Sequence, residues 1–385
     1  MTETVDTNGR VSALTGRRVS LIGVALAAAA ATVLGACAPS TGGGSAPVAA
    51  TVPATVSADQ LTATTLKVGD QKAGLKALLQ AAGQDETAYD IQWSTFTSGP
   101  PLLEAAAAGA IDVGGVGNTP PIFAGAAGSP IAAVSASRDD ARGDAILVAK
   151  GSTATSLPDL KGRRVAVAKG SSAHGHLVLQ LRKAGLTTSD VQIAFVAPSD
   201  GYAALAAGRV DAWAVWDPYT AQAEQELGAR ILVDGHGVAN GLSFQVASRA
   251  ALADGAKNTA IEDLVQRTAR ARLWAKAHPQ EWAKVYADET GLPYEVSLAS
   301  AKRSDDEPIT ISDEVVAAEQ ALVDALASEK VIPTAFTFAD YVDRRFEAPL
   351  EAVIKAGATN APVTTDSHTT DSHTTNSDTT GSQEG

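Results

Sequence analysis

Short apolar segments alternate with Ala-rich segments of helical spacing through most of the chain. The apolar segments have the length of strands and predict strands at residues 65–68, 90–96, 111–116, 131–136, 145–149, 164–168, 192–196 and 212–216. Helices are predicted between them at residues 74–82, 101–108, 121–127, 173–183 and 202–207. Regular alternation of strands and helices favours an α/β fold with largely parallel sheets.

From about Lys257 the hydrophobic pattern becomes helical. Apolar positions recur with helical spacing at Ile261, Leu264, Val265 and Thr268. Thr259-Ala260-Ile261-Glu262 matches a capping box, which predicts a helix start at Thr259. His278-Pro279 is predicted to end the helix, and Trp274 and Trp282 are interpreted as packing residues.

One pattern occurs twice, with its two copies 99 residues apart. Gly109-Ala110-Ile111-Asp112 precedes a predicted strand and then Asn118, and Gly208-Arg209-Val210-Asp211 precedes a strand and then Asp217. The repeat predicts two similar lobes whose helix starts face a shared cleft, because ligands of such sheets bind beyond the carboxyl ends of the strands. Chance similarity between Ala-rich units is the alternative.

The two ends of the chain differ in composition from its middle. Residues 1–36 are predicted to be a lipoprotein signal peptide, since Arg17-Arg18 precede an apolar run at 19–34 and small residues lead to Cys37. We expect Cys37 to carry the lipid and residues 37–62 to form a flexible tether. A transmembrane helix is the alternative, and Sec and twin-arginine export both stay open. Residues 357–385, rich in Ser, Thr, Asp and His, are predicted to be disordered.

Composition and spacing exclude several classes of function. The net charge of −13 argues against nucleic acid as a partner. Cys37 is the only cysteine of the 385 residues, so lipidation would leave no thiol and no disulfide. His174, His176 and His236 lack the spacing of metal ligands, and no hydrolase motif is present. We therefore expect no metal, no cofactor and no catalytic group.

Three predicted helix starts are rich in small and polar residues. Two of them, Ser98-Gly99-Pro100-Pro101 and Asn118-Thr119-Pro120-Pro121, place a capping residue before prolines. The third, Lys169-Gly170-Ser171-Ser172, follows an apolar strand, and its hydroxyls can cap a helix and face a ligand. Because helix N-termini carry unpaired N–H groups and positive partial charge, these starts predict a site for a small anion. An ordinary β–α turn is the alternative for the third.

Four further residues are candidates for contact with a ligand. Gln71, at the end of the first strand, can reach an oxyanion with its amide, and His174 can donate to an anion. Asp217 is predicted to be an N-cap ahead of Pro218, where it satisfies backbone N–H groups or selects a ligand amine or hydroxyl. Trp216 can form the wall for an apolar tail. A solvated turn for Gln71, a plain position on the first helical turn for His174 and a core position for Trp216 are the structural alternatives.

Seven segments between residues 66 and 252 form an ordered set. They are Gly69-Asp70-Gln71-Lys72, the run from Phe96 to Glu104, Gly117 to Phe123, Leu160 to Ala166, Lys169 to His174, Asp211-Ala212-Trp213 and Trp216-Asp217-Pro218-Tyr219. The set resembles the substrate-binding proteins of ABC importers for aliphatic sulfonates. The resemblance implies a type II periplasmic-binding-protein fold, in which two α/β lobes with largely parallel sheets are joined by a two-strand hinge and followed by C-terminal helices.

The same resemblance implies the division of the chain and its role. The first lobe would comprise residues 63–147 and 244–356, the second residues 148–243, and the chain would cross near 145–150 and return near 244–248. A sulfonate would lie between the lobes, held by the helix starts at Gly99, Asn118-Thr119 and Ser171-Ser172. The protein would act as a monomer that delivers its ligand to a permease with an ATPase, and only its lipid would touch the membrane.

Ser137-Arg138-Asp139-Asp140 differs from the proline-rich loop of that family. Arg138 is a candidate counter-charge for the anion, and pairing with Asp139 or Asp140 at the surface is the alternative. Related proteins with this fold take taurine, nitrate, sulfate esters or thiamine-precursor pyrimidines, and these ligands stay open. A ligand-sensing lipoprotein and a desulfinase-like enzyme are the alternatives from other classes; the enzymes use a cysteine nucleophile, and Cys37 would be lipidated.

Overall fold

The computed structural model describes residues 52–72 and 74–360. The strands in these residues are β1 (Thr65–Gln71), β2 (Asp90–Phe96), β3 (Val113–Gly117), β4 (Ile131–Arg138), β5 (Ala145–Val148), β6 (Arg164–Val167), β7 (Gln192–Phe195), β8 (Ala212–Val215), β9 (Arg230–Asp234), β10 (Leu242–Ser248) and β11 (Glu307–Ile309). The helices are α1 (Ala58–Thr62), α2 (Leu75–Ala81), α3 (Gly99–Ala107), α4 (Thr119–Ala126), α5 (Ser172–Lys183), α6 (Pro198–Ala206), α7 (Tyr219–Leu227), α8 (Arg249–Ala253), α9 (Gly255–Ala277), α10 (Pro279–Thr290), α11 (Tyr294–Arg303), α12 (Asp313–Ser328) and α13 (Glu347–Asn360).

The strands form two sheets. The first has the order β11-β4-β10-β3-β1-β2, with β1 parallel to β2 and β3, and with β10 antiparallel to β3 and β4. The second has the order β7-β6-β8-β5-β9, with β6 parallel to β7 and β8, and with β5 antiparallel to β8 and β9. The predicted α/β fold is confirmed, but the sheets are mixed rather than largely parallel, because four of the strand pairings in the described residues are parallel and five are antiparallel.

The chain passes twice between the sheets. It leaves the first sheet after β4 and enters the second at β5, through residues 139–144, and it returns from β9 to β10 through residues 235–241. Both passages lie a few residues earlier than the sequence indicated. Ala145–Leu147, assigned above to the first lobe, lie in the second sheet because β5 pairs with β8 and β9 along its whole length.

Glycines in the first sheet allow a helix to lie close above it. A Cβ at Gly69 would be 2.4 Å from Ile111 Cδ1 and 2.9 Å from Leu102 Cγ, and a Cβ at Gly114 would be 2.8 Å from Leu102 Cδ2. Leu102 belongs to α3 and is fully buried, so α3 packs directly on the central strands. This close packing fixes the position of the start of α3 at the edge of the sheet.

Several predicted boundaries differ from the structure. Thr259 lies inside α9, which begins at Gly255 and is capped by Asp254, so the predicted capping box at Thr259 is wrong. The tether predicted to reach residue 62 ends earlier, because α1 is helical and its Leu61 packs on the core. The predicted break at His278 is confirmed by the start of α10 at Pro279.

The C-terminal boundary also moves, since α13 continues to Asn360 rather than ending near residue 356. Cys37, the signal peptide and the tail beyond residue 360 lie outside the described residues. Among the helices of residues 52–72 and 74–360, none has the length and apolar character needed to cross a membrane.

Candidate ligand-binding site

A cavity of about 330 Å³ lies between the carboxyl ends of strands from the two sheets. Its wall is formed by the ends of β1, β3 and β8, the starts of α3 and α5, both passages between the sheets, and side chains of α9, α10 and α11. Ligands of open α/β sheets bind outside the carboxyl ends of strands, so this is the position expected for a binding site.

The three helix starts predicted for the anion converge here. A Cβ at Gly99 would be 2.5 Å from Pro120 Cγ, so the starts of α3 and α4 are in contact. A Cβ at Gly117 would be 3.1 Å from Ser172 Cβ, which brings the start of α5 against the end of β3. Absence of side chains at residues 99 and 117 therefore allows the three starts to meet.

Seven of the predicted site residues line the cavity and four do not. Those on the wall are Gln71, Gly99, Asn118, Ser171, Ser172, Trp216 and Asp217. Those away from it are Pro100, Thr119, Arg138 and His174. The binding roles of all of them stay predictions.

The four residues away from the wall have other contacts. Thr119 is fully buried and its hydroxyl donates to Asn118 Oδ1. His174 Nδ1 accepts the Gly170 N–H, and burial, together with Lys169, lowers the pKa of His174 to about 4. Arg138 pairs with Glu314 at 3.3 Å, and not with the neighbouring aspartates. Pro100 lies beside Gly170, since a Cβ at residue 170 would be 3.3 Å from Pro100 Cγ.

The capping side chains behave differently from the prediction. Ser98, Asn118 and Ser171 occupy the N-cap positions, but none makes a side-chain capping hydrogen bond. Ser171 donates to the Ala168 carbonyl at 2.7 Å, and Ser172 donates to Asp144 Oδ1 at 3.0 Å. The hydroxyl of Ser172 at the start of α5 is therefore already engaged by a carboxylate.

Asp217 lies one residue before the N-cap of α7, which is Pro218. Its Oδ1 still accepts the Ala221 N–H at 2.9 Å, and its Oδ2 lies 2.9 Å from Arg303 Nε. Burial raises the pKa of Asp217 to about 6, although Arg303 and the Ala221 N–H oppose the rise. The predicted satisfaction of backbone donors by Asp217 is thus present, with the cap shifted by one residue.

Sequence reasoning missed the cations of the cavity. Thr268, Arg272 and Lys276 follow each other at intervals of four residues on α9, so they share one helical face, and all three line the cavity. Arg272 pairs with Asp306, and burial lowers the pKa of Arg272 to about 10 while Asp139 opposes the drop. The interval of four residues was visible in the sequence, but the same interval is equally typical of a helix face that is exposed to solvent.

Comparison with known proteins adds to this geometry. Residues 97–282 match the family model described as NMT1/THI5 like. An aliphatic sulfonates-binding protein of Escherichia coli (strain K12) is 35% identical over 277 residues, which span 70% of this chain and 85% of that protein. The chain belongs to the aliphatic sulfonate-binding protein family. A member from Bacillus subtilis (strain 168) is 32% identical over 256 residues, spanning 66% of this chain and 77% of the relative.

Solved structures of the family have the same fold. The alkanesulfonate-binding protein SsuA from Xanthomonas axonopodis pv. citri, bound to MOPS, superposes with a TM-score of 0.68 at 33% identity and covers 73% of this chain and 98% of its own. The periplasmic SsuA from Escherichia coli gives a TM-score of 0.64 at 32% identity, and the match covers 73% of this chain and 92% of that protein. These neighbours have the type II periplasmic-binding-protein fold, so the predicted family and fold are confirmed.

An enzyme shares the fold without sharing close sequence. The desulfurization enzyme DSZB gives a TM-score of 0.52 at 17% identity, over 76% of this chain and 99% of the enzyme. That level of identity shows the architecture alone, whereas the relatives above 30% identity are binding proteins. The single cysteine of this chain, Cys37, lies outside the described residues.

The carboxyl group of Glu319 is buried and is connected by hydrogen bonds to the cavity wall. Glu319 of α12 is fully buried, and its Oε2 accepts the Asn240 amide at 2.8 Å. Asn240 Oδ1 in turn accepts the Asn118 amide at 2.7 Å and the Leu242 N–H at 3.1 Å. Burial raises the pKa of Glu319 to about 8, so the group is neutral at neutral pH. The chain of hydrogen bonds ties the second passage to Asn118.

We expect Glu319→Gln to remove a pH-dependent loss of stability. Between its ordinary pKa of 4.5 and about 8, Glu319 is protonated when folded and ionised when unfolded. Folding therefore takes up a proton, and the free energy of unfolding falls as pH rises, by at most about 1.4 kcal/mol per pH unit from this group. Urea unfolding of both proteins from pH 5 to 8 should show a shallower fall for the variant. Parallel curves would contradict the assignment.

Proposed function

We propose that this chain is the solute-binding component of an ABC importer and captures an aliphatic sulfonate between its two sheets. The observation that carries the proposal is the cavity itself, which joins the starts of α3 and α4 to Arg272 and to an aromatic wall. Membership of the aliphatic sulfonate-binding family supports this choice of anion.

Different parts of the wall suit the two parts of such a ligand. The sulfonate would lie near Arg272, whose planar group can donate two parallel hydrogen bonds, and near the positive ends of α3 and α4. Trp216, Trp282 and Leu75 also line the cavity and would contact the alkyl part. Burial of apolar ligand surface against these side chains would favour binding by about 25 cal/mol per Å².

Two passages between the sheets support a closing motion. Residues 139–144 and 235–241 are the connections between the first and second sheets. A hinge of two connecting segments would let the lobes close on the sulfonate.

The closed monomer would then dock on its permease at the outer side of the membrane. This location agrees with the relative from Escherichia coli, which is a periplasmic protein. Cys37 would carry the lipid anchor.

Calorimetric titration tests the proposal. The purified chain is titrated with butanesulfonate, 3-aminopropanesulfonate, sulfate, nitrate and a thiamine-type pyrimidine. We expect saturable binding of at least one organic sulfonate and none of sulfate or nitrate, because only the former can fill the apolar part of the cavity. Binding of another ligand with no response to either sulfonate would contradict the proposed substrate.

A further inference from the structure

Helices of the lobe built on the first sheet touch helices of the lobe built on the second sheet. At one place α5 of the second lobe lies against α4 and α12 of the first, and buried Val178 of α5 belongs to the same apolar cluster as Leu322 of α12. At another place α7 of the second lobe lies against α11, which connects α10 to β11 of the first sheet. None of the apolar clusters in the described part of the chain includes a residue of α11. The contact between α7 and α11 therefore lies outside the apolar cores.

Polar groups join α7 to α11, and Arg303 at the end of α11 is the main one. Its Nε lies 2.9 Å from Asp217 Oδ2, and its Nη2 donates to Asp217 Oδ1 at 3.4 Å. Its Nη1 donates to Glu224 Oε2 at 2.7 Å. At the other end of α11, the Glu295 carbonyl accepts the Gln225 side-chain amide at 3.1 Å. One guanidinium of the first lobe thus holds two carboxylates of the second.

A rotation about the two passages would separate these groups. Asp217 lies next to the first passage, since a Cβ at Gly143 would be 3.3 Å from Asp217 Oδ2. Glu224 and Gln225 lie further along α7, and Glu224 is about 10 Å from Asp217 along the helix axis. Displacement in a rotation grows with distance from the axis, so Glu224 and Gln225 would move more than Asp217. Their contacts with α11 would therefore break when the lobes open.

The two contacts between the lobes also differ in what their separation costs. The Arg303 side chain is 19% exposed and the Glu224 side chain is 34% exposed, so water reaches both charges as soon as the helices part. Hydration then replaces the partner, and the net free energy of such an ion pair is small. Separation of α5 from α12 would instead expose the apolar surfaces of Val178 and Leu322 to water. The contact between α7 and α11 is therefore the one that can open and close again.

Arg303 joins the two helices beside the cavity without being part of its wall. Ser300 and Ala301 of α11 line the cavity, and Asp217 lines it from the second lobe, whereas Arg303 and Glu224 do not line it. Separation of α7 from α11 would part the wall between Ser300 and Asp217. Arg303 can therefore control access to a bound ligand without touching it.

We propose that Arg303 is a latch between the lobes, which keeps them closed on the ligand and sets how long the ligand stays bound. Arg303 is a positioning residue in this proposal, because it acts through Asp217 and Glu224. The proposal rests on the proposed function, since the ligand whose release is controlled is the organic sulfonate. Differences in affinity between related complexes are mostly differences in dissociation rate, and this is the rate that a closing contact controls.

Stopped-flow kinetics on the full chain test the latch, with butanesulfonate or 3-aminopropanesulfonate as the ligand, whichever binds the wild-type chain more tightly. Tryptophan fluorescence follows the reaction, since Trp216 and Trp282 line the cavity. Arg303→Met removes the charge and keeps most of the side-chain length. We expect dissociation about tenfold faster and association changed by less than about twofold, because the ligand enters the open form. Arg303→Lys should lie between the two proteins, because an ammonium group lacks the planar set of donors. An unchanged dissociation rate in Arg303→Met would overturn the proposal.

Glu224→Gln distinguishes a latch from a direct effect of charge on the anion. Loss of this negative charge outside the wall would by electrostatics alone slow the release of an anion. The latch predicts the opposite, faster dissociation, and no further change when Glu224→Gln is added to Arg303→Met. Slower or unchanged dissociation in Glu224→Gln would overturn the proposal. Arg163→Met is the matched control and should leave both rates unchanged, because Arg163 pairs with Asp211 at 3.6 Å within the second lobe and away from the wall.

Small-angle X-ray scattering gives a result that does not depend on the ligand. The ligand-free Arg303→Met chain should have a larger radius of gyration than the ligand-free wild-type chain, because loss of the latch shifts the population towards the open form. Equal radii would show that the contact does not hold the lobes closed, and would overturn the proposal. If neither sulfonate binds the wild-type chain, the proposed function fails, and the scattering result alone decides whether Arg303 is a latch.

Discussion

Arg272→Gln is expected to weaken binding of an organic sulfonate by about 100-fold, because a charged hydrogen bond to a dry anion contributes about 1.5–3 kcal/mol and the lost cation leaves carboxylates unbalanced. Arg272 lines the cavity beside Asp139 and pairs with Asp306. Calorimetric titration of the variant measures the change in affinity. Arg272→Lys, which retains the charge but loses the planar group, should lie between the two proteins.

Two matched variants make this result specific. Arg270→Gln changes an exposed arginine on the same helix, whose side chain donates to Gln266 Oε1, and should leave affinity unchanged. Arg138→Gln tests the counter-charge suggested by the sequence, and we expect little effect because Arg138 pairs with Glu314 away from the wall. A large loss in Arg138→Gln with a normal Arg272→Gln would reverse the assignment of the anion site.

Arg272 is needed in the proposed site because prolines reduce the number of backbone N–H groups that the starts of α3 and α4 can donate to an anion. Pro100, Pro101, Pro120 and Pro121 occupy the first turns of α3 and α4 and carry no N–H. Each start therefore offers fewer backbone donors than a helix without prolines, although its dipole is retained. A sulfonate has three oxygens to satisfy, so a side chain with several donors is needed. Arg272 is the partly buried side chain on the wall that meets this need.

The local sequence predicted the elements well and the distant partners poorly. Strand and helix alternation and the break at His278 follow from short-range patterns, whereas the convergence of the starts at Gly99, Asn118 and Ser172 was implied by the resemblance to the family. Arg272 was missed because α9 reaches the cavity only through the return of the chain from the second sheet. No local pattern distinguishes a helical arginine facing a cavity from one facing water.

The sequence failed to predict the hydrogen-bond partner of Ser172 and the burial of Thr119 for the same reason. Ser172 was predicted to donate to a ligand, but Asp144 lies 28 residues earlier and takes its hydroxyl. Thr119 was predicted on the wall, but the approach of α5 covers it completely. Both outcomes depend on which elements pack together across the two sheets, and this information is not contained in the spacing of residues within one segment.

Gly175→Ala is expected to destabilise the protein, although alanine is normally better than glycine inside a helix by about 1 kcal/mol. Gly175 lies in α5, beside the second sheet, and faces Thr119 of α4, beside the first. A Cβ at residue 175 would lie 2.2 Å from Thr119 Oγ1, so α4 and α5 would have to separate. We expect the free energy of unfolding to fall by about 1–3 kcal/mol, as for other overpacked sites, when measured with urea.

Removal of the opposing atom should reverse this loss. Thr119→Ala deletes Oγ1 and Cγ2, and the Cβ that remains would lie at an ordinary contact distance of 3.4 Å from the added Cβ. Gly175→Ala in the Thr119→Ala background should therefore stabilise the protein, as expected for an unobstructed helix. The affinity for sulfonate should follow the same pattern, because the contact sets how closely the starts of α4 and α5 approach. A stabilising effect of Gly175→Ala in the presence of Thr119 would show that this approach is looser than the geometry indicates.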